Sequence, residues 1–444
     1  NLIFEGRISY SAYTWICRTK PVIKNKQLFA LQVFNALRFG IAVLIAIIFA
    51  KVADSESITI YESLVLIGTT FTFFYASAIN HTLVPFVESS NDQNRSTAYA
   101  SAFSLLIVGV ILSTMAMIVY AFAISGPEEK SYLIWYTLFI LFNIPSLLAE
   151  NILLVEKRNK SLMFYGVISF GLQLLAIGIP LFNGNLYLGI KLLGLFSFLK
   201  LIYTVILIRK FGDLTTNLTQ IKSLFKVSSP VMGSLFLANG YLYASTFLIK
   251  FNTNPESFNL FRYGSREFPL FMIMANSFST IQSGLIAKSG NRINEALKEM
   301  KQASKRLIHQ LFPAAIVLSL TSFYIFRFVF NAELAEAYEI FNILLLILLS
   351  RMLFPQSILL AIRKNKSMIY ASFIEFVVGI ALSLWWINSL GIMGVAWAMV
   401  AAHIADKLVL IYFAKKEGFP LSSYFPWKIY LLYAIPLVIL VLNQ

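Results

Sequence analysis

The chain has 444 residues, 58% of them hydrophobic and only 13% charged, where an ordinary globular domain carries about 25% charged residues. Soluble cores cannot hide that many apolar runs, and runs of about 20 apolar residues span a bilayer. The single cysteine, Cys17, excludes an intrachain disulfide framework and a multi-cysteine zinc site, and the net charge of +15 is scattered between apolar segments, a pattern of membrane topology rather than of nucleic-acid binding.

The chain opens on Asn1 rather than Met, so a short preceding piece is expected. Residues 1–27 carry Arg7, Arg18, Lys20, Lys24 and Lys26 without an apolar h-region, which is no cleavable signal peptide. Apolar spans are then predicted at 28–50, 62–86, 98–124, 132–155, 162–183, 186–208, 228–250, 259–287, 308–330, 338–362, 368–388 and 391–414, with a shorter thirteenth near 428–443. Helices are expected throughout, because the alternating ten-residue signature of a barrel is absent.

Alternating these spans from a cytoplasmic N-terminus puts the basic turns around Lys157–Lys160, Arg209–Lys226, Lys288–Arg306, Arg363–Lys366 and Lys415–Lys428 on the inside, together with Arg95. The outer segments keep only Lys51, Lys130 and Lys250. One missed span would scramble so lopsided a split. Glu62 is expected to open its helix at the outer interface. In the inner segment 288–307, Ala296, Leu297, Met300, Ala303 and Leu307 alternate with Lys298, Lys301 and Lys305, the pattern of an amphipathic surface helix.

Shifting the chain by 206 positions lays Ile152-Leu153-Leu154 on Ile358-Leu359-Leu360 and Asn159-Lys160-Ser161 on Asn365-Lys366-Ser367. Arg209-Lys210 then meets Lys415-Lys416, and Gly212 meets Gly418. A period of six spans makes both halves enter the membrane in the same direction, the plan of a rocking transporter with parallel repeats. The expected organisation is an all-α polytopic protein of about 12–13 transmembrane helices in two parallel-repeat six-helix bundles. Its parts are a cytoplasmic segment 1–27, bundles 28–208 and 228–414, a linker 209–227 and a tail 415–444.

Ionisable residues inside spans are costly and are functional candidates by default. The basic ones are Arg38, Lys191, Lys200, Arg262, Arg266, Arg327, Arg351 and Lys407. Lys191 and Arg327 lie near span ends and are expected to snorkel. Arg38 is in mid-span, and Arg262 and Arg266, four apart, are expected on one helix face beside Glu267. Guanidinium forks bind phosphates in two-pronged fashion, so Arg38, Arg262, Arg266, Arg351 and Lys200 are the candidates for an anionic substrate. The embedded acids Glu150, Glu375 and Asp406 are candidates for proton or sodium coupling; Asp406 sits beside Lys407, with His403 one turn earlier. No other cofactor and no metal site is expected. The P-loop, H-E-x-x-H and G-x-S-x-G patterns are absent.

The run Gly391-Ile392-Met393-Gly394-Val395-Ala396-Trp397-Ala398-Met399 resembles the entry to a late helix in bacterial polysaccharide exporters. The stretches Phe261–Glu267 and Arg351–Gln356 are similar to a branch of lipopolysaccharide biosynthesis proteins. These exporters belong to the multidrug/oligosaccharidyl-lipid/polysaccharide (MOP) superfamily, with the O-antigen and lipid II flippases. The resemblance covers essentially the whole chain. It implies a V-shaped pair of bundles in the bacterial inner membrane that alternates between two openings. It also implies a cationic cavity for undecaprenyl-pyrophosphate-linked sugars, in which Arg38 and Arg262 or Arg266 resemble cavity arginines by position. The lipid II group carries fourteen spans, which points away from lipid II as the specific substrate.

The expected partners are a lipid-linked oligosaccharide, membrane lipids and polymerase or ligase machinery, with no nucleic acid. Two alternatives stand beside a flippase. One is a cation-coupled multidrug exporter of the same fold. The other is a membrane enzyme of polysaccharide assembly, which the short outer loops disfavour.

Overall fold

The structure is a computed structural model that describes residues 26–88, 92–266, 269–362 and 364–444. The expectations for Cys17, Arg95, Glu267 and Arg363 fall outside the described residues or their described side chains. The elements are α1 (Lys26–Val52), α2 (Ser55–Glu88), α3 (Asp92–Ala123), α4 (Pro127–Ser146), α5 (Leu148–Val155), α6 (Asn159–Phe182) and α7 (Leu186–Phe211). They continue with α8 (Leu218–Asn252), α9 (Pro255–Gly264), α10 (Pro269–Ser289), α11 (Ile293–Tyr324), α12 (Ala337–Leu345), α13 (Ile347–Arg351) and α14 (Pro355–Ala361). α15 (Asn365–Lys416), α16 (Leu421–Tyr424) and α17 (Trp427–Leu442) complete the chain.

Local chemistry sets several boundaries. The Asp54 carboxylate accepts from Ser57 N at 2.7 Å ahead of α2. Asn185 accepts from Leu188 N at 2.9 Å ahead of α7, and Asn254 from Ser257 N at 2.8 Å ahead of α9. Each satisfies an amide that the first helical turn leaves orphaned. Pro127, Pro255 and Pro355 occupy the first position of their helices, where a missing N–H costs nothing. Because Asp54 starts α2, Glu62 does not open the helix as the composition suggested. It lies two turns inside and is buried.

Among the described residues nine helices are long and apolar enough to cross a membrane, or ten if the bent pair Ala337–Arg351 and Pro355–Ala361, meeting at 42°, is one span. The protein is therefore an all-α, multi-pass membrane protein. One of the nine, α15, is broken at Gly391, whose φ of 58° and ψ of −141° are non-helical. Its two arms run antiparallel: Tyr370 stacks near Phe413 at 6.2 Å, Lys364 pairs with Glu417 at 2.9 Å, and Gly394 closes onto the backbone of Trp386. The spans expected at 368–388 and 391–414 are the arms of this hairpin.

The chain divides into two compact units, the first closing at Phe236 and the second opening at Leu237. The division falls inside α8. Residues 218–236 belong to the first unit, where Thr97 donates to Gln220 at 2.7 Å and Thr82 meets Ser228 at 2.6 Å. Residues 237–252 belong to the second, where Ser245 meets Ser383 at 3.0 Å.

Element boundaries coincide at the 206-residue offset. α6 opens at Asn159 and α15 at Asn365, and the hairpin of α6 and α7 turns at Gly184 where α15 turns near Gly391, both glycines at positive φ. The preceding span is broken in each case, at Leu147 between α4 and α5 and again at Met352–Phe354 between α13 and α14.

In lipid, helices associate through close packing rather than the hydrophobic effect, so small residues receive large ones. A Cβ at Gly166 would lie 2.7 Å from the Phe34 ring, and one at Gly379 would lie 2.5 Å from the Tyr241 ring. The amphipathic stretch in 288–307 is not a separate surface helix. It is the first part of α11 and runs on into the span expected at 308–330, with Ala296, Leu297, Met300, Ala303 and Leu307 buried. α16 and α17 pack on α11, with Lys301 Nζ donating to Ser422 O at 2.8 Å and His309 Nδ1 lying 2.9 Å from the Tyr433 hydroxyl. Burial of that stripe by protein leaves it unavailable to the bilayer interface.

Candidate functional site

In the first unit a charged cluster forms between three helices. Arg38 of α1 donates through Nη2 to Glu150 of α5. Lys200 of α7 donates from Nζ to Asn143 of α4 at 2.8 Å and lies within electrostatic reach of both Glu150 and Arg38. Two cations thus share one carboxylate. The Arg38 guanidinium also lies 5.1 Å from the Phe34 ring centroid and 5.8 Å from that of Phe170. Phe34 is itself seated against Gly166, so helix packing fixes the position of the charge. The Arg38 side chain retains 39% of its surface.

In the second unit Arg266 and Arg351, distant in sequence, line one small cavity of about 30 Å³. Its other described walls are apolar or small, among them Phe271, Phe341 and Leu348, and none of the described lining residues is acidic. The backbone makes this cavity. α9 ends at Gly264, which approaches the Ala337 carbonyl so closely that a Cβ would lie 2.5 Å from it. α13 ends at Arg351, and the chain turns through Phe354 at φ 49° before Pro355 restarts a helix. Both arginines therefore stand where helices stop.

The expectation that Arg262 and Arg266 share a helix face is corrected accordingly. Arg262 is in the last turn of α9, whereas Arg266 lies beyond the C-cap Ser265 with its guanidinium 4.6 Å from the Tyr263 ring centroid. Gly264 and Ser265 stop the helix before the fourth residue of the spacing is reached.

The acids of the second unit pair differently from the expected grouping of His403 with Asp406. His403 Nδ1 lies 2.7 Å from Glu375 Oε1, across the two arms of α15. Asp406 pairs with its neighbour Lys407 at 2.9 Å. The hairpin geometry decides this, because a turn near Gly391 brings residue 375 opposite residue 403. Lys191 lies 4.6 Å from the Trp135 ring and 4.3 Å from Tyr187, and Arg327 lies 5.8 Å from Phe323. These are cation–aromatic seats of the kind found at membrane interfaces.

No family model and no curated protein sequence matches the chain. Solved structures do. A lipid II flippase, MurJ, in an inward closed conformation matches with a TM-score of 0.69 at 20% identity, covering 93% of this chain and 92% of that one. An inward-facing multidrug resistance MATE family transporter of the MOP superfamily matches with a TM-score of 0.69 at 12% identity, over 90% and 99% of the two chains. A MOP superfamily transporter from Pyrococcus furiosus, described as having a binding pocket of reverse polarity, matches at 0.57 and 11% identity over 90% and 95%. The fold is that of the MOP superfamily transporters.

Within this MOP fold the sequence-predicted residues fall into separate groups. Arg38, Glu150 and Lys200 come together in the first unit; Arg266 and Arg351 share a cavity in the second, and Arg262 lies one turn behind Arg266. Asn143, Phe34 and Tyr241 were not singled out from the sequence. Asn143 precedes Glu150 by two helical turns, which is a readable signal once the span is taken as a helix. The Glu375–His403 pairing is also legible in retrospect, since Gly391 lies near the midpoint of the two residues.

Proposed function

We propose that the chain is a flippase of the bacterial inner membrane. It moves an undecaprenyl-pyrophosphate-linked oligosaccharide from the cytoplasmic to the outer leaflet by alternating access, for cell-surface polysaccharide or lipopolysaccharide assembly. It works as a transporter, without bond-making chemistry, and hands its product to polymerase or ligase machinery. On this reading the N-terminus is cytoplasmic. Residues 28–208 and 228–414 form two six-helix bundles in parallel repeat, joined by 209–227, and 415–444 adds a loop and a thirteenth helix. The coincident boundaries at the 206-residue offset and the antiparallel arms of α15 support that count.

The observation that carries the substrate class is that Arg266 and Arg351, distant in sequence, line one small cavity whose other described walls are apolar or small. A pyrophosphate in a low-dielectric interior is prohibitive alone, and fixed guanidinium groups lower that cost before the group arrives. Arg38 and Lys200 against the single Glu150 supply a second cationic station, with Arg262 close behind Arg266. The shared fold extends to a lipid II flippase.

A multidrug exporter remains the second reading, favoured by the buried acids Glu375 and Asp406 and by the equal TM-score of a MATE transporter. Proteoliposomes separate the two. Purified protein is expected to move lipid-linked oligosaccharide in preference to a cationic dye. Arg266→Ala and Arg351→Ala are each expected to slow that movement by roughly 10- to 100-fold, the loss of one charge-assisted contact of about 1.5–3 kcal/mol. Movement of the dye alone overturns the reading.

A further inference from the structure

The two hairpins carry the same basic turn at one end, but they balance its charge differently. In the first unit α6 starts after Arg158, whose backbone angles are φ −85° and ψ 60°. In the second, α15 starts after Lys364 at φ −89° and ψ 51°. One backbone bond closes each turn, Arg158 N to Leu153 O at 2.9 Å and Lys364 N to Leu359 O at 2.8 Å. Donors and acceptors alike are related by the 206-residue offset, so the side chains of Arg158 and Lys364 leave the same local frame.

The residue across the hairpin is where the two turns part. Lys364 Nζ lies 2.9 Å from Glu417 Oε1. Position 211, the counterpart of 417, is a phenylalanine. Its ring centroid lies 5.6 Å from the Arg158 guanidinium and 5.5 Å from Lys210 Nζ. A phenyl face attracts cations but carries no net charge, so it leaves both of them unneutralised. Lys157, Lys160 and Arg209 add further exposed cations to the same turn. Of the neighbouring acids, Glu156 accepts from the Tyr99 hydroxyl at 2.7 Å, and Asp213 is exposed beyond the helix end. Among the described residues no carboxylate pairs with Arg158.

The surroundings say what kind of anion completes the turn. It stands at the ends of two helices long and apolar enough to cross a membrane, Asn159–Phe182 and Leu186–Phe211, which is the level of lipid headgroups. One turn into α6 from Lys160, Phe164 is 67% exposed, and one turn back along α7 from Lys210, Ile206 is 54% exposed. Cations at a helix end beside exposed apolar side chains match a ligand with an anionic head and an apolar tail. A free inorganic anion would use only the first of these. From these observations we propose that the turn of Arg158, Lys210 and Phe211 binds the phosphate headgroup of an acidic phospholipid, which takes the place that the Glu417 carboxylate fills in the second unit. The lipid binds without covalent change, and the site is independent of what the protein transports.

Native mass spectrometry of the delipidated full chain in neutral detergent tests this, with phosphatidylglycerol as the probe and zwitterionic phosphatidylcholine as the control. Phe211→Glu supplies the missing carboxylate and is expected to bind one phosphatidylglycerol fewer than wild type, with phosphatidylcholine binding unchanged. The lipid lost is expected to be one that wild type holds about tenfold or more tightly than phosphatidylcholine, as for a charge-assisted contact, and that raised salt releases. Glu417→Phe makes the reciprocal change and is expected to bind one phosphatidylglycerol more.

If Phe211→Glu does not fold, Arg158→Gln reads the same loss. Equal phosphatidylglycerol binding by wild type and these variants overturns the site, and a Glu417→Phe chain that gains no lipid overturns the equivalence of the two turns. Inorganic phosphate that displaces the lipid at equal concentration overturns the part given to the tail. A preference shown for undecaprenyl pyrophosphate alone, with phosphatidylglycerol no better than phosphatidylcholine, overturns the assignment to a phospholipid.

Discussion

The two helical hairpins of the molecule, α6 with α7 and the two arms of α15, share boundaries at the 206-residue offset but not chemistry. Where the first has Ser169, Ser197 and Lys200, the second has Glu375, His403 and Asp406 at the corresponding positions. In the first, a lysine reaches an asparagine on α4 and stands near a carboxylate held by Arg38. In the second, the acid and the imidazole pair within the hairpin itself. The same scaffold thus places a cation in one unit and an acid in the other. What the scaffold specifies is depth and facing; the charge is set residue by residue.

The largest effect expected from breaking this comparison is at Glu150. Glu150→Ala leaves Arg38 and Lys200 together without their carboxylate, and thermal unfolding in detergent should report a loss of about 1–3 kcal/mol, less than for a fully buried pair because the Arg38 side chain keeps 39% of its surface. Asp406→Ala strands only Lys407 and should lose less. An equal or reversed order would mean that the clusters are not distinguished by their number of cations.

Next come the glycines that receive aromatic rings beside each cluster. Gly379→Ala meets three Tyr241 ring atoms within 3.1 Å, whereas Gly166→Ala meets one Phe34 atom at 2.7 Å and the next at 3.3 Å. Overpacking costs about 1–3 kcal/mol, so the first should fall near the top of that range and the second near the bottom. The unfolding midpoints of the two variants decide it.

The turns differ by a smaller margin. Gly391 combines φ 58° with ψ −141°, outside the left-handed helical well that side chains tolerate. Gly391→Ala should cost about 1–2 kcal/mol, and Gly184→Ala, at φ 67° after a helix end, about 1 kcal/mol. Smallest of all, Asn185→Ala and Asn254→Ala should each lose about 1 kcal/mol or slightly less. Hydrogen exchange at Leu188 and Ser257 should show equal fraying in both units, because capping is local and blind to the charges nearby.

How much of the site could be read beforehand follows from the same distinction. Arg38, Lys200, Glu150, Glu375 and Asp406 stand out because a charge inside a twenty-residue apolar run is visible from neighbours a few positions away. The partners do not stand out in that way. His403 reads naturally with Asp406, one turn on, because helical spacing is the nearest relation available; the hairpin replaces it with Glu375. Arg262 and Arg266 read as one face because their spacing is helical, but Gly264 meets the Ala337 carbonyl and the helix ends there.

The amino-acid sequence by itself determined the class of the molecule, marked most of the helices long and apolar enough to cross a membrane, and marked the ionisable residues set inside apolar runs, although the span expected at 259–287 is divided between α9 and α10. Those depend on transfer free energies and propensities that act over one or two helical turns. Only the tertiary structure decided which charges meet, because Arg38 and Glu150, or Arg266 and Arg351, are joined by the packing of separate helices. It also decided that the apolar stripe in 293–307 is buried by protein. A contact between distant segments is settled by the fit of whole surfaces, and no local pattern carries that information.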